Sequence, residues 1–186
     1  GVEATSAGEL VRTGAGNPAL LTELALASAA ATDVHRAISP EALARERVHR
    51  LSPAGRQVLD LLGSSDRPLR LELVARAVGR SHAELLELLA ELEDAHLVRT
   101  AGARRIDEVA LAARYVGAAL ADELGPTARR AAHAALAAAL DSDPSSPPGL
   151  AAMHWIEAHD PVRALAAIGQ LAAAARDAGD HARVAS

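Results

Sequence analysis

The chain has 186 residues, a formal net charge of −5 and no cysteine. This length suffices for one or two domains with a buried core, while the missing thiols exclude disulfides, thiolate catalysis and cysteine-based zinc sites. The negative charge argues against a broad phosphate-binding surface. Because the chain has one Trp, one Tyr, one Met and no Phe, its core must be Leu, Val and Ala, which favours closely packed helices over a β-sandwich.

The first 38 residues contain a turn followed by an apolar segment. Gly16-Asn17-Pro18 predicts a helix from Pro18 to about residue 31, since Pro is tolerated at a first helical position and Asn17 can cap the free amides. Taken alone, this pattern is an ordinary helix start.

Residues 39 to 112 predict a winged-helix domain. A short helix from Ser39-Pro40 comes before the three helices of this domain. Ser52 caps the first of these, which ends at Gly63, and the second covers residues 71 to 78. Ser81 and Glu84 form a capping box for a third helix, whose apolar face carries Leu85, Leu88, Leu89 and Leu92. Two short strands, residues 97 to 100 and 106 to 111, complete the pattern.

Residues 113 to 186 predict a helical arm. Four helices are expected, at residues 111 to 124, 126 to 140, 150 to 159 and 161 to 178, and their short links favour antiparallel neighbours. Gly179-Asp180 is a further helix-start signal. The last two helices resemble the first unit of a tetratricopeptide-like array, so the expected fold is mainly α, a winged helix followed by an antiparallel helical array.

Five segments, taken in order, resemble one family. They are Gly16-Asn17-Pro18-Ala19-Leu20-Leu21, the stretch from Arg50 to Arg56, the stretch from Leu88 to Val98, Arg129-Arg130-Ala131-Ala132-His133, and the stretch from Ala151 to Ala158. This order is similar to the region just after the nucleotide-binding core of bacterial STAND-type signalling ATPases, especially the large LuxR-type regulators. Residues 1 to 38 would then be the end of the ATPase lid.

The resemblance implies a nucleotide switch that this chain completes only in part. In such proteins Gly16, Asn17 and Pro18 would contact the adenine of ATP or ADP, and the winged helix would fold back on bound ADP. A histidine that reaches the phosphates is expected at Ala113, which can neither carry charge nor donate a side-chain hydrogen bond; the adjacent Arg114 is the nearest charged substitute. No phosphate loop of the Gly-x-x-x-x-Gly-Lys-Ser/Thr type occurs in residues 1 to 186, so no cofactor is expected in this segment.

DNA binding by the winged helix is disfavoured by charge. The third helix, which would enter the major groove, has no arginine. It carries five acidic residues, Glu84, Glu87, Glu91, Glu93 and Asp94. Affinity for DNA comes largely from cations that displace counterions, so this helix would be repelled.

Metal and nucleophile sites are not expected. His154 and Glu157 have the helical spacing of metal ligands but His159 does not, and two ligands do not close a zinc site. We therefore expect His154 to pack between helices and the other two side chains to face water. No Gly-x-Ser-x-Gly elbow or paired carboxylate site stands out.

The sequence thus predicts a non-catalytic regulatory segment of a STAND-type, LuxR-like transcriptional regulator. Its partners would be the rest of the parent ATPase and a protein or small-molecule inducer on the helical arm. The alternatives are an autonomous helical protein-interaction scaffold without nucleotide and, third, a winged-helix DNA-binding regulator. Without a signal peptide or an apolar run of about 18 residues, a cytoplasmic protein with no membrane partner is expected.

Overall fold

The computed structural model describes residues 39–101, 107–147 and 149–184, with side chains in the last helix described as far as Arg176. This part of the chain is mainly helical, with eight helices and a small antiparallel sheet, so the predicted mainly α class is confirmed. Gly16, Asn17 and Pro18, together with the helix predicted to follow them, lie outside the described residues. The described helices include none that is both long and apolar enough to cross a membrane.

The first half alternates helices with short strands. In chain order the elements are α1 (Pro40–His49), α2 (Pro53–Gly63), β1 (Leu69–Arg70), α3 (Leu71–Val78), α4 (His82–Asp94), β2 (Val98–Ala101) and β3 (Glu108–Leu111). The predicted helix starts are confirmed in detail. Ser39 and Ser52 accept hydrogen bonds from amides in the first turns that they cap, and Ser81 with Glu84 forms the capping box.

The sheet has the order β1-β3-β2, and β3 pairs antiparallel with both neighbours. The strand β1 was not predicted, because two residues are too few to show the alternation that marks a strand. Its position matters for the site, since it ties the loop after α2 to the central strand.

The second half is entirely helical. It consists of α5 (Arg114–Glu123), α6 (Pro126–Asp141), α7 (Leu150–Glu157) and α8 (Pro161–Val184). The start predicted at Leu111 was wrong, because Leu111 pairs with Val98 as the last residue of β3. The α7 helix ends before His159, whose φ of 60° is left-handed.

The prediction that Gly179-Asp180 begins a new helix was also wrong. The α8 helix continues through these residues to Val184. A glycine inside a helix costs only about 1 kcal/mol relative to alanine, and no proline follows to end the helix.

The buried apolar residues form one continuous cluster from Ala44 in α1 to Ala167 in α8. Within it α5 packs on α1, α6 packs on α2 and α3, and α7 lies against both α6 and α8. As predicted, the core is mainly Leu, Val and Ala, and Trp155 is its largest fully buried side chain. The division into segments at residues 38 and 112 stays a prediction.

Candidate anion-binding site

Three arginines from distant parts of the chain line one cleft beside the start of α5. Arg67 lies in the loop between α2 and β1, Arg99 in β2, and Arg114 is the first residue of α5; all three line one open cleft of about 440 Å³. The other lining residues are Leu62, Ser65, Asp66, Pro68, Ala110, Leu111, Ala112, Ala113 and Gly117.

The central strand β3 brings these parts together. On one side Arg99 of β2 stands opposite Ala110, and residues paired across strands point to the same face of a sheet. On the other side β1 pairs with β3, which holds the Arg67 loop close by. β3 ends only two residues before Ala113, the N-cap of α5. The α5 helix therefore begins beside Arg99 and beside the loop that carries Arg67.

The three arginines are exposed and form no ion pair with another described residue, as is also true of Arg130 outside the cleft. By contrast, Arg45 and Arg56 pair with carboxylates. Asp66 is the single acidic residue in the cleft lining. The lining therefore carries a net positive charge although the whole chain is negative.

The first turn of α5 adds backbone donors to this cleft. Ala113 makes no side-chain cap hydrogen bond, and its carbonyl accepts only from the amide of Val116, so the amides of Arg114 and Tyr115 have no partner among the described residues. Such amides, with the positive end of the helix dipole, favour a bound anion. Guanidinium groups bind phosphate and carboxylate oxygens with strong, charge-assisted hydrogen bonds. The cleft thus combines both kinds of donor for an oxyanion such as phosphate.

The sequence indicates only part of this site. Ala113 and Arg114, which were predicted to matter, both line the cleft, whereas Arg67 and Arg99 were not predicted. These two are separated from Arg114 by 47 and 15 positions in the printed sequence, and no local pattern joins them. Only the strand register, which sets Arg99 opposite Ala110, would have indicated that Arg99 lies near Arg114.

The three residues weighed as metal ligands lie where we expected them. His154 is buried between helices, and Glu157 and His159 are exposed. No group of three or more metal-ligating side chains occurs among the residues that the structure describes. What the sequence did not predict is that His154 pairs with His133. Both histidines lie on the apolar faces of their helices. This helical periodicity was the one feature of the sequence that could have indicated that both are buried.

No protein family, curated protein or solved structure matches this chain.

Proposed function

We propose that this chain is a non-catalytic regulatory segment of a STAND-type, LuxR-like ATPase regulator, and that its arginine cleft contacts the phosphates of a nucleotide held by the rest of that protein. One observation carries the proposal. Arg67, Arg99 and Arg114 line one cleft beside the start of α5, where the family resemblance expects a phosphate-contacting histidine.

The order of the elements supports the finer fold assignment within this proposal. Three helices followed by a β-hairpin, with a short third strand on the far side of β3, are typical of a winged helix. The α7 and α8 helices are joined by a short turn at Asp160 and pack on each other. Such a hairpin resembles one tetratricopeptide-like unit.

The proposed mechanism is a shift between two states. In the ADP state, Gly16, Asn17 and Pro18 hold the adenine and the arginine cleft holds the phosphates, which keeps the winged helix against the ATPase core. An inducer on the helical arm favours the other state, in which these contacts are lost. Nucleotide binds the ADP state better, whereas the inducer binds the other state better. Each ligand therefore weakens the binding of the other.

The test uses the complete reading frame that contains this segment. We expect a phosphate loop upstream of Gly1, and in that protein Arg114→Glu should speed ADP release about tenfold or more, the equivalent of about 1.4 kcal/mol. The matched control is Arg130→Glu on α6, because Arg130 is also exposed and outside the cleft lining. Equal ADP release from both variants, or a reading frame without a phosphate loop, would contradict the proposal.

A helical interaction scaffold without nucleotide is the second candidate. It is supported by apolar side chains exposed on α8, where Val162 is 77% and Leu165 is 69% exposed. Exposed apolar surface of this kind often marks a protein contact. A complete reading frame without a phosphate loop, together with no detectable ADP binding by the protein that it encodes, would select this candidate over the first.

DNA binding has the least support. On α4, Glu84, Glu87 and Glu91 are exposed, and Glu93 accepts hydrogen bonds from the backbone N–H and hydroxyl of Thr100. The exposed carboxylates would face phosphates of the same sign. We predict no salt-dependent, sub-micromolar binding to a labelled DNA duplex in a fluorescence anisotropy titration.

A further inference from the structure

A second and larger cleft lies between the loop after α2 and the helices α5, α6 and α7. It has a volume of about 700 Å³, and Leu69, Leu73, Leu124, Leu150 and Met153 form part of its apolar wall. Binding sites for small molecules are typically clefts of about 300–1,000 Å³ with apolar walls and a few well-placed polar groups. The polar groups of this cleft therefore decide which ligand fits it.

Two buried histidines join α6 to α7 at this cleft. His133 on α6 is 9% exposed and His154 on α7 is 5% exposed, and both line the cleft. Their Nδ1 atoms are 2.9 Å apart and their ring centroids are 5.2 Å apart, so the rings lie end to end and share one hydrogen bond. This bond fixes the two helices against each other.

Both rings are neutral at physiological pH. Burial lowers the pKa of His133, and burial together with the neighbouring His133 lowers the pKa of His154 to about 4. The charge of Glu157 raises both pKa values, and that of Arg129 lowers the pKa of His133. Asp66 raises the pKa of His154 without outweighing burial. The histidine pair therefore adds no charge to the cleft.

Charged side chains stand one helical turn from each histidine. Arg129 comes four residues before His133 on α6, and Glu157 comes three residues after His154 on α7. These spacings place each charge on the same face of its helix as the histidine. Both charged side chains are exposed and line the cleft, and both act on His133. A cation and an anion therefore flank the histidine pair.

Neither of these two charges is neutralised by another described residue. Arg129 makes only a long hydrogen bond, 3.5 Å, to the carbonyl oxygen of Ala121, and Glu157 makes no hydrogen bond or ion pair in the described part of the chain. By contrast, Arg70 in the same lining pairs with Asp143. Because Arg129 and Glu157 do not pair with each other, there is space for the charged groups of a ligand between them.

From this arrangement we propose that the cleft binds an α-amino acid with an apolar side chain. Arg129 binds the α-carboxylate with charge-assisted hydrogen bonds, Glu157 accepts from the α-ammonium group, and the side chain of the ligand lies against the apolar wall. A carboxylic acid without the ammonium group is repelled by Glu157, and an amine without the carboxylate is repelled by Arg129. Only a ligand with both charges satisfies both residues.

This cleft is separate from the arginine cleft but adjoins it. The loop from Ser65 to Pro68, in which Asp66 and Arg67 carry opposite charges, and Gly117 line both clefts. Arg129 and Glu157 line only the larger one. The amino-acid site therefore does not rest on the proposed nucleotide contact, and a test without nucleotide distinguishes the two.

The experiment compares three probes of similar size on the 186-residue chain. L-Leucine, 3-methylbutylamine, which lacks the carboxylate, and 4-methylpentanoate, which lacks the ammonium group, are each titrated at pH 7 without nucleotide. NMR follows the methyl group of Met153, the single methionine of the chain, which lines the cleft. We expect L-leucine to cause a saturable shift and to bind about tenfold or more tightly than either analogue, a difference of about 1.4 kcal/mol.

Two variants assign the two charges. Arg129→Gln should lower the affinity for L-leucine to that of the unmutated protein for 3-methylbutylamine, and Glu157→Gln should lower it to that for 4-methylpentanoate. Because both side chains are exposed, both variants should fold. The matched controls are Arg130→Gln on α6 and Glu87→Gln on α4. They also replace exposed residues but lie outside the cleft lining, so they should keep the preference for L-leucine.

Two kinds of result would overturn the proposal. The first is an absence of any saturable shift of the Met153 signal with L-leucine, or an analogue that binds as tightly as L-leucine. The second is an unchanged affinity for L-leucine in Arg129→Gln or in Glu157→Gln, because the site requires both charges.

Discussion

At the residue scale, the buried pair of His133 and His154 should make stability depend on pH below neutrality. Each histidine has a pKa near 6.5 when unfolded, and burial lowers the pKa of His154 to about 4 in the folded protein. Between these values the unfolded chain binds more protons, so stability is fully present above about pH 6.5 and falls as the pH drops towards 4. A pKa lowered by this much corresponds to about 3 kcal/mol.

Urea unfolding at several pH values between 4 and 7 measures this dependence. We expect the free energy of unfolding to fall with pH less steeply in the double variant His133→Leu, His154→Leu, because that variant has no imidazole that must charge in the core. The same slope in both proteins would show that the two histidines do not cause the pH dependence.

Tyr115 carries a second residue-scale prediction. Its hydroxyl is buried without a hydrogen-bond partner in the described part of the chain, and burial raises its pKa. An unsatisfied buried hydroxyl costs free energy, so Tyr115→Phe should raise the free energy of unfolding by about 1 kcal/mol. Chemical denaturation measures this, and a loss of stability would mean that the hydroxyl is satisfied in solution.

At the element scale, Glu123 links three helices. This α5 residue is 15% exposed, and its carboxylate lies 3.1 Å from Arg56 of α2, 3.6 Å from Arg45 of α1 and 2.9 Å from His49 of α1. Glu123→Gln should lower the free energy of unfolding by about 1–3 kcal/mol, since it removes the charge of a half-buried carboxylate that accepts a hydrogen bond from Arg56 and lies beside the more exposed Arg45 and His49.

The matched control for Glu123 is Glu46→Gln. Glu46 pairs with Arg50 one turn away, but both side chains are exposed, at 58% and 74%. Exposed pairs of this spacing contribute only about 0.3–0.5 kcal/mol. Thermal or urea unfolding of both variants should therefore separate them clearly, and equal effects would contradict a structural role for Glu123.

Helix boundaries show what local sequence predicts and where it fails. Ser52, Ser81 and Glu84 marked helix starts correctly, and Gly79 ends α3 with a left-handed φ of 66°, because caps depend on neighbouring residues alone. Leu111 was assigned both to the end of the strand and to the start of the next helix, because its apolar side chain suits either structure; only the strand assignment was right. Its pairing with Val98 across the sheet decided the outcome, and sequence periodicity does not show such pairing.

At the scale of the whole molecule, the arginine cleft and the buried histidine pair each combine residues that the sequence did not connect. Arg114 was identified as a charged substitute one position from Ala113, yet Arg67 and Arg99 reach the same cleft only through the pairing of three strands. Similarly, His133 was noted within a motif and His154 as a packing residue, but their hydrogen bond depends on how α6 meets α7. The elements were largely predictable, whereas the contacts between them were not.

The continuous apolar cluster from α1 to α8 predicts cooperative unfolding of residues on both sides of position 112. Trp155 in α7 and Tyr115 in α5 are the chain's only tryptophan and tyrosine, and both pack against this cluster. Trp155 fluorescence and far-ultraviolet circular dichroism should therefore report the same unfolding midpoint in urea. Separate midpoints would mean that the helical arm unfolds independently.

The most direct measurement is a pyrophosphate titration of the 186-residue chain, followed by NMR of backbone amides and arginine side chains. We predict that the amide of Arg114 and the Nε–H signals of Arg67, Arg99 and Arg114 shift together, and that added salt weakens binding. Arg99→Ala combined with Arg114→Ala should abolish these shifts. Equal shifts at Arg130 and Arg176, which lie outside the cleft, or binding that survives in the double variant, would contradict an anion site at the start of α5.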